Sequence, residues 1–251
     1  MVPCEEAFVS TLFLVPKKSG GFRPVTNLKP LNQFVERIHF KMENIQTAIE
    51  SLNYGDYMVS LDLKDAYLSV PIFSPRRKYL RSLWKSVRYQ FTCRPFGYSL
   101  VPRELSKIFK PVLASLRFKG IRLIIFIDDI LIIAESIAPC RQKLTIIREL
   151  LESLGIMVNV SKSSLIPATR ITFLGFELDS LAMKVFLPQG KVLKITRACD
   201  QLREMDNPPL RQIADVTGLI ASAFPAIRYF QLHYPLNDPL NYVNPRPLVW
   251  V

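Results

Sequence analysis

The chain lacks any apolar run long enough to cross a membrane. Its longest apolar stretch, residues 123–133, is interrupted by two aspartates, whereas a membrane-spanning helix needs roughly 20 consecutive apolar residues. The first ten residues, MVPCEEAFVS, have acidic side chains where a secretory signal peptide has basic ones. We therefore expect neither a membrane span nor a targeting segment.

Histidine and cysteine are also scarce. There are 2 His and 4 Cys in 251 residues, and no CxxC pair occurs. The cysteines, Cys4, Cys93, Cys140 and Cys199, lie far apart, which argues against a zinc site and against a disulfide framework. A reducing intracellular compartment fits this composition, and the sequence does not distinguish cytoplasm from nucleus.

Acidic residues are outnumbered by basic ones. The 33 Lys and Arg against 21 Asp and Glu give a net charge of +12 and a pI near 9.7. Such a surplus favours a polyanionic partner, either nucleic acid or an anionic membrane surface, although it also serves solubility. A membrane-surface binder would need a basic amphipathic helix with exposed aromatics, and the amphipathic segment 138–154 is too mixed in charge for that role.

Hydrophobic periodicity predicts both strands and helices along the chain. No internal repeat or low-complexity tract occurs, and the composition shifts near residue 186. Strands are predicted at 9–16, 25–28, 57–63 and 67–72, a hairpin at 121–135, short strands at 155–180, and helices at 42–52, 102–120, 138–154, 188–204 and 209–223. Because strands and helices do not alternate as βαβ units, we expect an α+β fold with an antiparallel sheet.

Two adjacent carboxylates, Asp128 and Asp129, lie inside the most apolar segment, in the stretch FIDDIL. Burying them costs several kcal/mol each, and they repel one another. A tight Asp-rich turn, a hydrogen-bonded cluster or a divalent cation would offset that cost. For a cation, a third carboxylate is needed, and Asp62 at the end of a predicted strand is the best candidate. Oxygen ligands without His or Cys suit Mg²⁺ or Mn²⁺.

Several motifs follow one another in a fixed order through nearly the whole chain. They are FLVPKKSGGFRPVTNLKPLN, SLDLKDAYLSVPI, RPFGYSLVP, FIDDIL, VNVSKSSL and FLGFEL. In this order they resemble the fingers hairpin, the first catalytic motif, the LPFGLxxAP motif, the YxDD box, a lysine motif and the primer grip of reverse transcriptases. The likeness is closest to DIRS-type and gypsy-type retrotransposons, and LRQIADVTGLIASAFPAI is similar to the DIRS-type thumb region.

The resemblance implies roles for individual residues. Metal ligands would be Asp62, Asp128 and Asp129 together with Leu63, and Lys162 matches a lysine proposed to protonate the pyrophosphate leaving group. The incoming nucleotide would be contacted by Lys17 and Arg23, by the backbone of Lys64, Asp65 and Ala66, by Tyr67 under the sugar, and by the base-pair motif at Phe96 and Gly97. Ordinary roles stay open for Asp65 as a turn cap, Phe96 as core packing and Lys162 as a surface lysine.

The resemblance also implies an activity and an architecture. The activity is that of an RNA-directed DNA polymerase that uses two Mg²⁺ ions, or Mn²⁺, to extend a primer with dNTPs on an RNA or DNA template. The architecture is a right-hand fold, with fingers and palm in 1–185 (fingers roughly 1–37 and 70–98, palm roughly 38–69 and 99–185), thumb-like helices in 186–235 and a connecting tail in 236–251. The expected partners are a primer–template and dNTPs but no membrane, and self-association or continuation into an RNase H domain is open.

The chain departs from the family pattern near the expected nucleotide pocket. Phe126 replaces the usual Tyr, Arg94 and Tyr98 stand where Leu is usual, Val101 replaces Ala, and Leu105 replaces an aromatic residue. None of these changes removes an expected metal ligand. Their clustering nevertheless supports an alternative hypothesis, a catalytically decayed retroelement remnant that only binds nucleic acid.

Overall fold

A computed structural model describes residues 8–16, 20–36 and 38–227. Within these ranges the strands are β1 (Val9–Pro16), β2 (Phe22–Thr26), β3 (Tyr57–Asp62), β4 (Arg81–Trp84), β5 (Val87–Gln90), β6 (Arg122–Phe126), β7 (Asp129–Ala134), β8 (Ser164–Ala168), β9 (Arg170–Phe173), β10 (Phe176–Asp179) and β11 (Lys184–Phe186). The helices are α1 (Lys29–Asn32), α2 (Ile45–Glu50), α3 (Val101–Phe118), α4 (Ile137–Ser153), α5 (Gln189–Arg203) and α6 (Leu210–Ala221).

The strands form three sheets. The first sheet has the order β2-β1-β4-β5, the central sheet β6-β7-β3-β8, and the small sheet β11-β10-β9. All pairs are antiparallel except β1 with β4, which are parallel. The expected α+β fold with an antiparallel sheet is therefore confirmed.

The central sheet is apolar on both faces, which explains the nearly continuous aliphatic runs of β6 and β7. On one face, Val59, Leu61 and Ile132 pack against residues of α3 and α4 such as Phe109 and Ile147. On the other face, side chains from β3, β6 and β7 pack against α2 and the small sheet, namely Met58, Ile124, Leu131, Ile133, Ala48, Ile49, Ile171, Phe173 and Leu178. The sheet is thus the centre of the core, and the position of its ends is fixed from both sides.

Most predicted elements are confirmed, with shifted boundaries. The first hairpin, the 57–63 strand, the 121–135 hairpin and the helices at 102–120, 138–154, 188–204 and 209–223 all appear, whereas the helix expected at 42–52 is restricted to α2. Among the described residues no helix is long and apolar enough to span a membrane.

The strand predicted at 67–72 is wrong. Residues Ala66–Ser69 form a 3₁₀ helix, in which the Leu68 N–H donates to the Asp65 carbonyl at 2.8 Å. Asp65 has a φ of 51°, in the left-handed region, so the chain turns sharply there and cannot continue the direction of β3. Sequence reasoning did not identify the β4–β5 hairpin, although Val87 and Tyr89 alternate with Arg88 and Gln90 in β5.

A largely buried ion pair lies at the end of the central sheet opposite to Asp128 and Asp129. Asp56 is 3% exposed and accepts hydrogen bonds from both terminal nitrogens of Arg122, at 2.6 and 2.7 Å. The hydrogen bonds from Arg122 to Asp56 raise the pKa of the guanidinium. The Asp56 carbonyl also accepts from the Ser180 hydroxyl at 2.6 Å, which connects this end of β3 to the turn after β10.

We predict that Asp56→Ala lowers the free energy of unfolding by about 2–4 kcal/mol, because it leaves the partly buried guanidinium of Arg122 without its partner. This cost is somewhat below that of breaking a fully buried pair, since part of the Arg122 side chain remains in water. Urea unfolding measures the change. The control is Glu152→Ala, which breaks the exposed pair with Arg148 on α4 and is expected to cost no more than about 0.5 kcal/mol. Equal effects of the two substitutions would contradict the assignment.

Candidate active site

The β6–β7 hairpin places two carboxylates at the end of the central sheet. Phe126 and Asp129 are the last paired residues, so Ile127 and Asp128 form a two-residue turn. Ile127 has a φ of 59°, a left-handed conformation that is unfavourable for a β-branched side chain. Backbone strain of this kind persists only where the surrounding structure enforces it, and it occurs often at functional sites.

The third carboxylate, Asp62, is directly opposite Asp129 across the β3–β7 pair. The Leu63 N–H donates to the Asp128 carbonyl at 2.7 Å, one residue beyond this pair on each strand. That pattern identifies Asp62 and Asp129 as a pair without mutual backbone hydrogen bonds, in which the Cα atoms are about 4.5 Å apart and the side chains are close. The expected juxtaposition of Asp62 with the Asp128–Asp129 pair is therefore present in the backbone register.

The segment after α4 completes this end of the sheet. The Asp62 N–H donates to the Ser163 hydroxyl at 3.0 Å, the Asp62 carbonyl accepts from the Asn159 N–H at 2.8 Å, and the Ser163 hydroxyl donates to the Asn159 carbonyl at 2.7 Å. Sequence reasoning missed Ser163 and Asn159, although both lie in the VNVSKSSL motif. Together these bonds hold the backbone of Asp62 in place and bring Lys162 to the same end of the sheet.

The three carboxylates interact electrostatically in a half-buried setting. Burial, followed by the charges of Asp128 and Asp62, raises the pKa of Asp129 to about 6. Burial also raises the pKa of Asp128, with a further contribution from Asp62. The charge of Lys162 lowers the pKa of both carboxyls, so it lies close enough to act on the pair. One cation offsets only part of this concentration of negative charge.

The donor chemistry fits Mg²⁺ or Mn²⁺. Asp62, Asp128 and Asp129 offer carboxylate oxygens, and the backbone ladder beyond β3 uses the carbonyls of Asp62, Asp128 and Met157, which leaves the Leu63 carbonyl outside it. Within the described ranges no three His, Cys, Asp or Glu side chains converge closely enough to form a finished metal site. A divalent cation would have to draw these carboxylates together.

Tyr67 lies near Asp128, and its ring contacts that of Phe96. Their rings meet edge to face, with centroids 5.0 Å apart and planes at 89°. Burial, with a contribution from the charge of Asp128, raises the pKa of Tyr67 to about 12, so its hydroxyl stays protonated. Phe96 is 37% exposed, which is more than a residue of the central core would be.

The segment that carries Phe96 and Gly97 is fixed by Asn32 at the end of α1. The Asn32 side chain donates to the Gly97 carbonyl at 2.8 Å and accepts from the Ser99 N–H at 3.0 Å. Gly97 has a φ of 92°, which side chains rarely allow. Sequence reasoning did not single out Asn32, because nothing in its neighbourhood indicates a partner so distant in the chain.

The remaining predicted pocket residues differ in exposure and in their hydrogen bonds. Lys64 and Asp65 are exposed and Ala66 is buried. The Lys64 N–H donates to the Met157 carbonyl at 2.8 Å, so it is already engaged, and no side-chain hydrogen bond from Asp65 caps the 3₁₀ helix. Arg23 is paired with Val15 in the first hairpin through its backbone. Lys17 lies outside the described residues.

A family model and two polyproteins each match more than half of this chain. A family model described as "Reverse transcriptase (RNA-dependent DNA polymerase)" matches residues 15–178, more than half of the chain. The genome polyprotein of Petunia vein clearing virus is 26% identical over 227 residues, and the transposon Tf2-3 polyprotein of Schizosaccharomyces pombe is 22% identical over 229 residues. The matches cover 87% and 91% of this chain but 10% and 16% of the respective relatives, so the chain spans a small part of their length.

Solved structures of the foamy viral protease-reverse transcriptase have a similar fold. A complex with double-stranded DNA gives a TM-score of 0.71 at 22% identity, covering 86% of this chain and 36% of the other. A complex with an RNA/DNA hybrid gives 0.66 at 21% identity, covering 86% and 27%. At 22% and 21% sequence identity, this similarity shows that the fold is shared.

The raised pKa of Asp129 predicts how stability depends on pH without a divalent ion. The pKa of Asp129 has its ordinary value of 3.8 in the unfolded chain and is about 6 in the folded chain. Between about pH 4 and about pH 6 the folded chain therefore binds more protons at this residue than the unfolded chain does. Stability therefore falls as the pH rises from about 4 through about 6, since ionising the group is harder in the folded state. We predict that Asp129→Asn flattens this decline in urea unfolding at a series of pH values, and that Mg²⁺ offsets it in the wild type. Equal pH slopes for wild type and variant would refute the prediction.

Proposed function

This chain belongs to the reverse transcriptase (RNA-dependent DNA polymerase) family, and we propose that it extends a primer on an RNA or DNA template with dNTPs. The observation that carries the proposal is the juxtaposition of Asp62 and Asp129 across β3 and β7, with Asp128 in the adjoining turn and Lys162 near enough to lower the pKa of both Asp128 and Asp129. The family implies polymerase activity in general, and this constellation supports it for the present chain.

The proposed reaction is attack of the primer 3′-hydroxyl on the α-phosphate of a dNTP. Asp62, Asp128 and Asp129, with the Leu63 carbonyl, would hold two Mg²⁺ ions or Mn²⁺. Such ions, when bound, activate the attacking oxygen and stabilise the leaving one. Lys162 would donate a proton to the departing pyrophosphate, a role supported by its position on the same side as the carboxylates.

The nucleotide would bind between the 3₁₀ helix and the segment carrying Phe96. Tyr67 would lie under the sugar, with Phe96 and Gly97 against the nascent base pair. Lys17 and Arg23 would contact the triphosphate, together with the exposed residues Lys64 and Asp65 and the backbone at Ala66. The contact between the Tyr67 and Phe96 rings supports this arrangement, because it joins the sugar side of the pocket to the base side.

The three parts of a right-hand polymerase are proposed to follow the boundaries expected from the sequence. The first sheet falls within the proposed fingers, the central sheet within the palm, and α5 and α6 within the thumb-like region 186–235. The end of β11 at Phe186 coincides with the compositional boundary, which supports a junction there. The tail, 236–251, lies outside the described residues.

We further propose a primer–template as the nucleic-acid partner. The net charge of +12 supports it, as do the double-stranded DNA and the RNA/DNA hybrid in the complexes of the foamy viral protein. The parent would be a retrotransposon polyprotein of DIRS or gypsy type by its motifs as a whole, with the thumb motif favouring the DIRS type, and would also carry RNase H. Polyprotein relatives far longer than this chain support a larger parent.

A catalytically decayed remnant that only binds nucleic acid is the second candidate. It is favoured by the changes at Arg94, Tyr98, Val101, Leu105 and Phe126, all near the proposed nucleotide pocket. Purified wild-type protein separates the two candidates. A polymerase extends a labelled primer on an RNA template with Mg²⁺ or Mn²⁺, whereas a remnant binds the primer–template without extending it.

We predict that Asp128→Asn lowers kcat for primer extension by roughly 10²–10³-fold or more, since fixed charges at reacting atoms have effects of that size. Primer–template affinity should stay within a few-fold of wild type, because the substitution keeps the shape of the side chain. The matched control is Glu135→Gln, an exposed carboxylate just past the other end of β7, which should extend normally. Near-normal extension by Asp128→Asn, or a variant that does not fold, would contradict the assignment of Asp128 as a metal ligand.

We predict that Tyr67→Ala raises ribonucleotide incorporation far more than it lowers deoxynucleotide incorporation, because a 2′-hydroxyl collides with a ring beneath the sugar. If Tyr67 only packs the core, truncation would instead cost roughly 3–5 kcal/mol of stability and reduce both activities together. The measurement is kcat/KM for a dNTP and its matching rNTP in both proteins. An unchanged ratio would show that Tyr67 does not select the sugar.

A further inference from the structure

Arg94 and Glu104 form an ion pair at the edge of the proposed nucleotide pocket. Arg94 opens the segment RPFG, two residues before Phe96, and Glu104 lies in the first turn of α3. Their side chains are only 21% and 25% exposed. A lone charge at either position would be costly, so each residue depends on the other.

The ion pair adds a side-chain contact to the segment around Phe96, which is also held by hydrogen bonds to its backbone. The Arg94 N–H donates to the Val70 carbonyl at 3.0 Å, just after the 3₁₀ helix that carries Tyr67, and Asn32 holds the other end of the segment. The Arg94 side chain connects the segment to α3, whose Leu105 and Phe109 are buried in the core. Phe96 therefore lies between attachments to three different elements.

We infer that the Arg94–Glu104 ion pair holds Phe96 against the ring of Tyr67, and so sharpens the selection of deoxynucleotides over ribonucleotides. The selectivity part rests on the proposed function, in which Tyr67 lies under the sugar. In this arrangement neither charged group is assigned a contact with the nucleotide, so both act as positioning residues. The pair is made through Nη1 of Arg94, whereas its buried Nε has no hydrogen-bond partner among the described residues.

The first test compares selectivity between variants. Arg94→Ala and Glu104→Ala should each lower the ratio of kcat/KM for a dNTP over its rNTP by roughly ten-fold, the change that accompanies loss of one charge-assisted contact. Arg94→Lys should stay close to wild type, because a single contact needs one charged donor. The charge-reversed double variant, Arg94→Glu with Glu104→Arg, should recover most of the ratio.

This ratio does not depend on how much of the protein is folded, so a merely structural role of the pair would leave it unchanged. The control is Arg148→Ala, which breaks an Arg–Glu pair on α4 and should also leave the ratio unchanged. An unchanged ratio in Arg94→Ala, in an enzyme that extends primers, would overturn the selectivity part of the inference.

The second test needs no catalysis. With tyrosine and phenylalanine selectively labelled, and Tyr67→Phe used for assignment, the wild type should give a nuclear Overhauser effect between the Tyr67 and Phe96 rings. Arg94→Ala should lose this signal and the charge-reversed double variant should regain it. Persistence of the signal in Arg94→Ala would overturn the positioning role. A further outcome is that the wild type extends no primer while Arg94→Ala still loses the signal and the double variant regains it. That result would refute the proposed function and leave the positioning role supported.

Discussion

The cost of holding three carboxylates at the end of an apolar sheet is the constraint on which this structure depends. Asp62, Asp128 and Asp129 are half-buried beside aliphatic strands, and the raised pKa values of Asp128 and Asp129 reflect first their burial and then the neighbouring negative charges. A fold meets such a cost only if the same groups gain elsewhere, and the cation and nucleotide phosphates of the proposed function would supply that gain.

Backbone hydrogen bonds keep the carboxylates together despite this repulsion. Leu63 bonds to Asp128 across the sheet, and Ser163 and Asn159 bond to the backbone of Asp62. Main-chain groups and the Ser163 hydroxyl therefore fix the backbone positions of these residues. The other end of β3 is fixed by the Asp56–Arg122 pair, so the strand cannot slip along its neighbours without breaking polar contacts at both ends.

Local patterns and distant contacts differ in how far the sequence reveals them. The stretch FIDDIL predicts its own hairpin, because two apolar runs flank a two-residue turn, and Asp62 could be chosen as its neighbour because it ends a strand. The 3₁₀ helix after Asp65 could not be predicted, since its apolar residues look like a strand and the left-handed backbone leaves no trace in composition. The bond between Asp62 and Ser163 joins residues 101 positions apart, and no periodicity indicates such a contact.

The connection between β3 and the β6–β7 hairpin also bears on the order of folding. The hairpin closes through two residues and can form within microseconds, whereas β3 must be brought back across a long intervening segment. We therefore expect the two carboxylates of the hairpin to come together before the third joins them, so that early chains would hold an incomplete set of the proposed ligands. Cation binding that requires all three aspartates would then report that the central sheet has finished assembling.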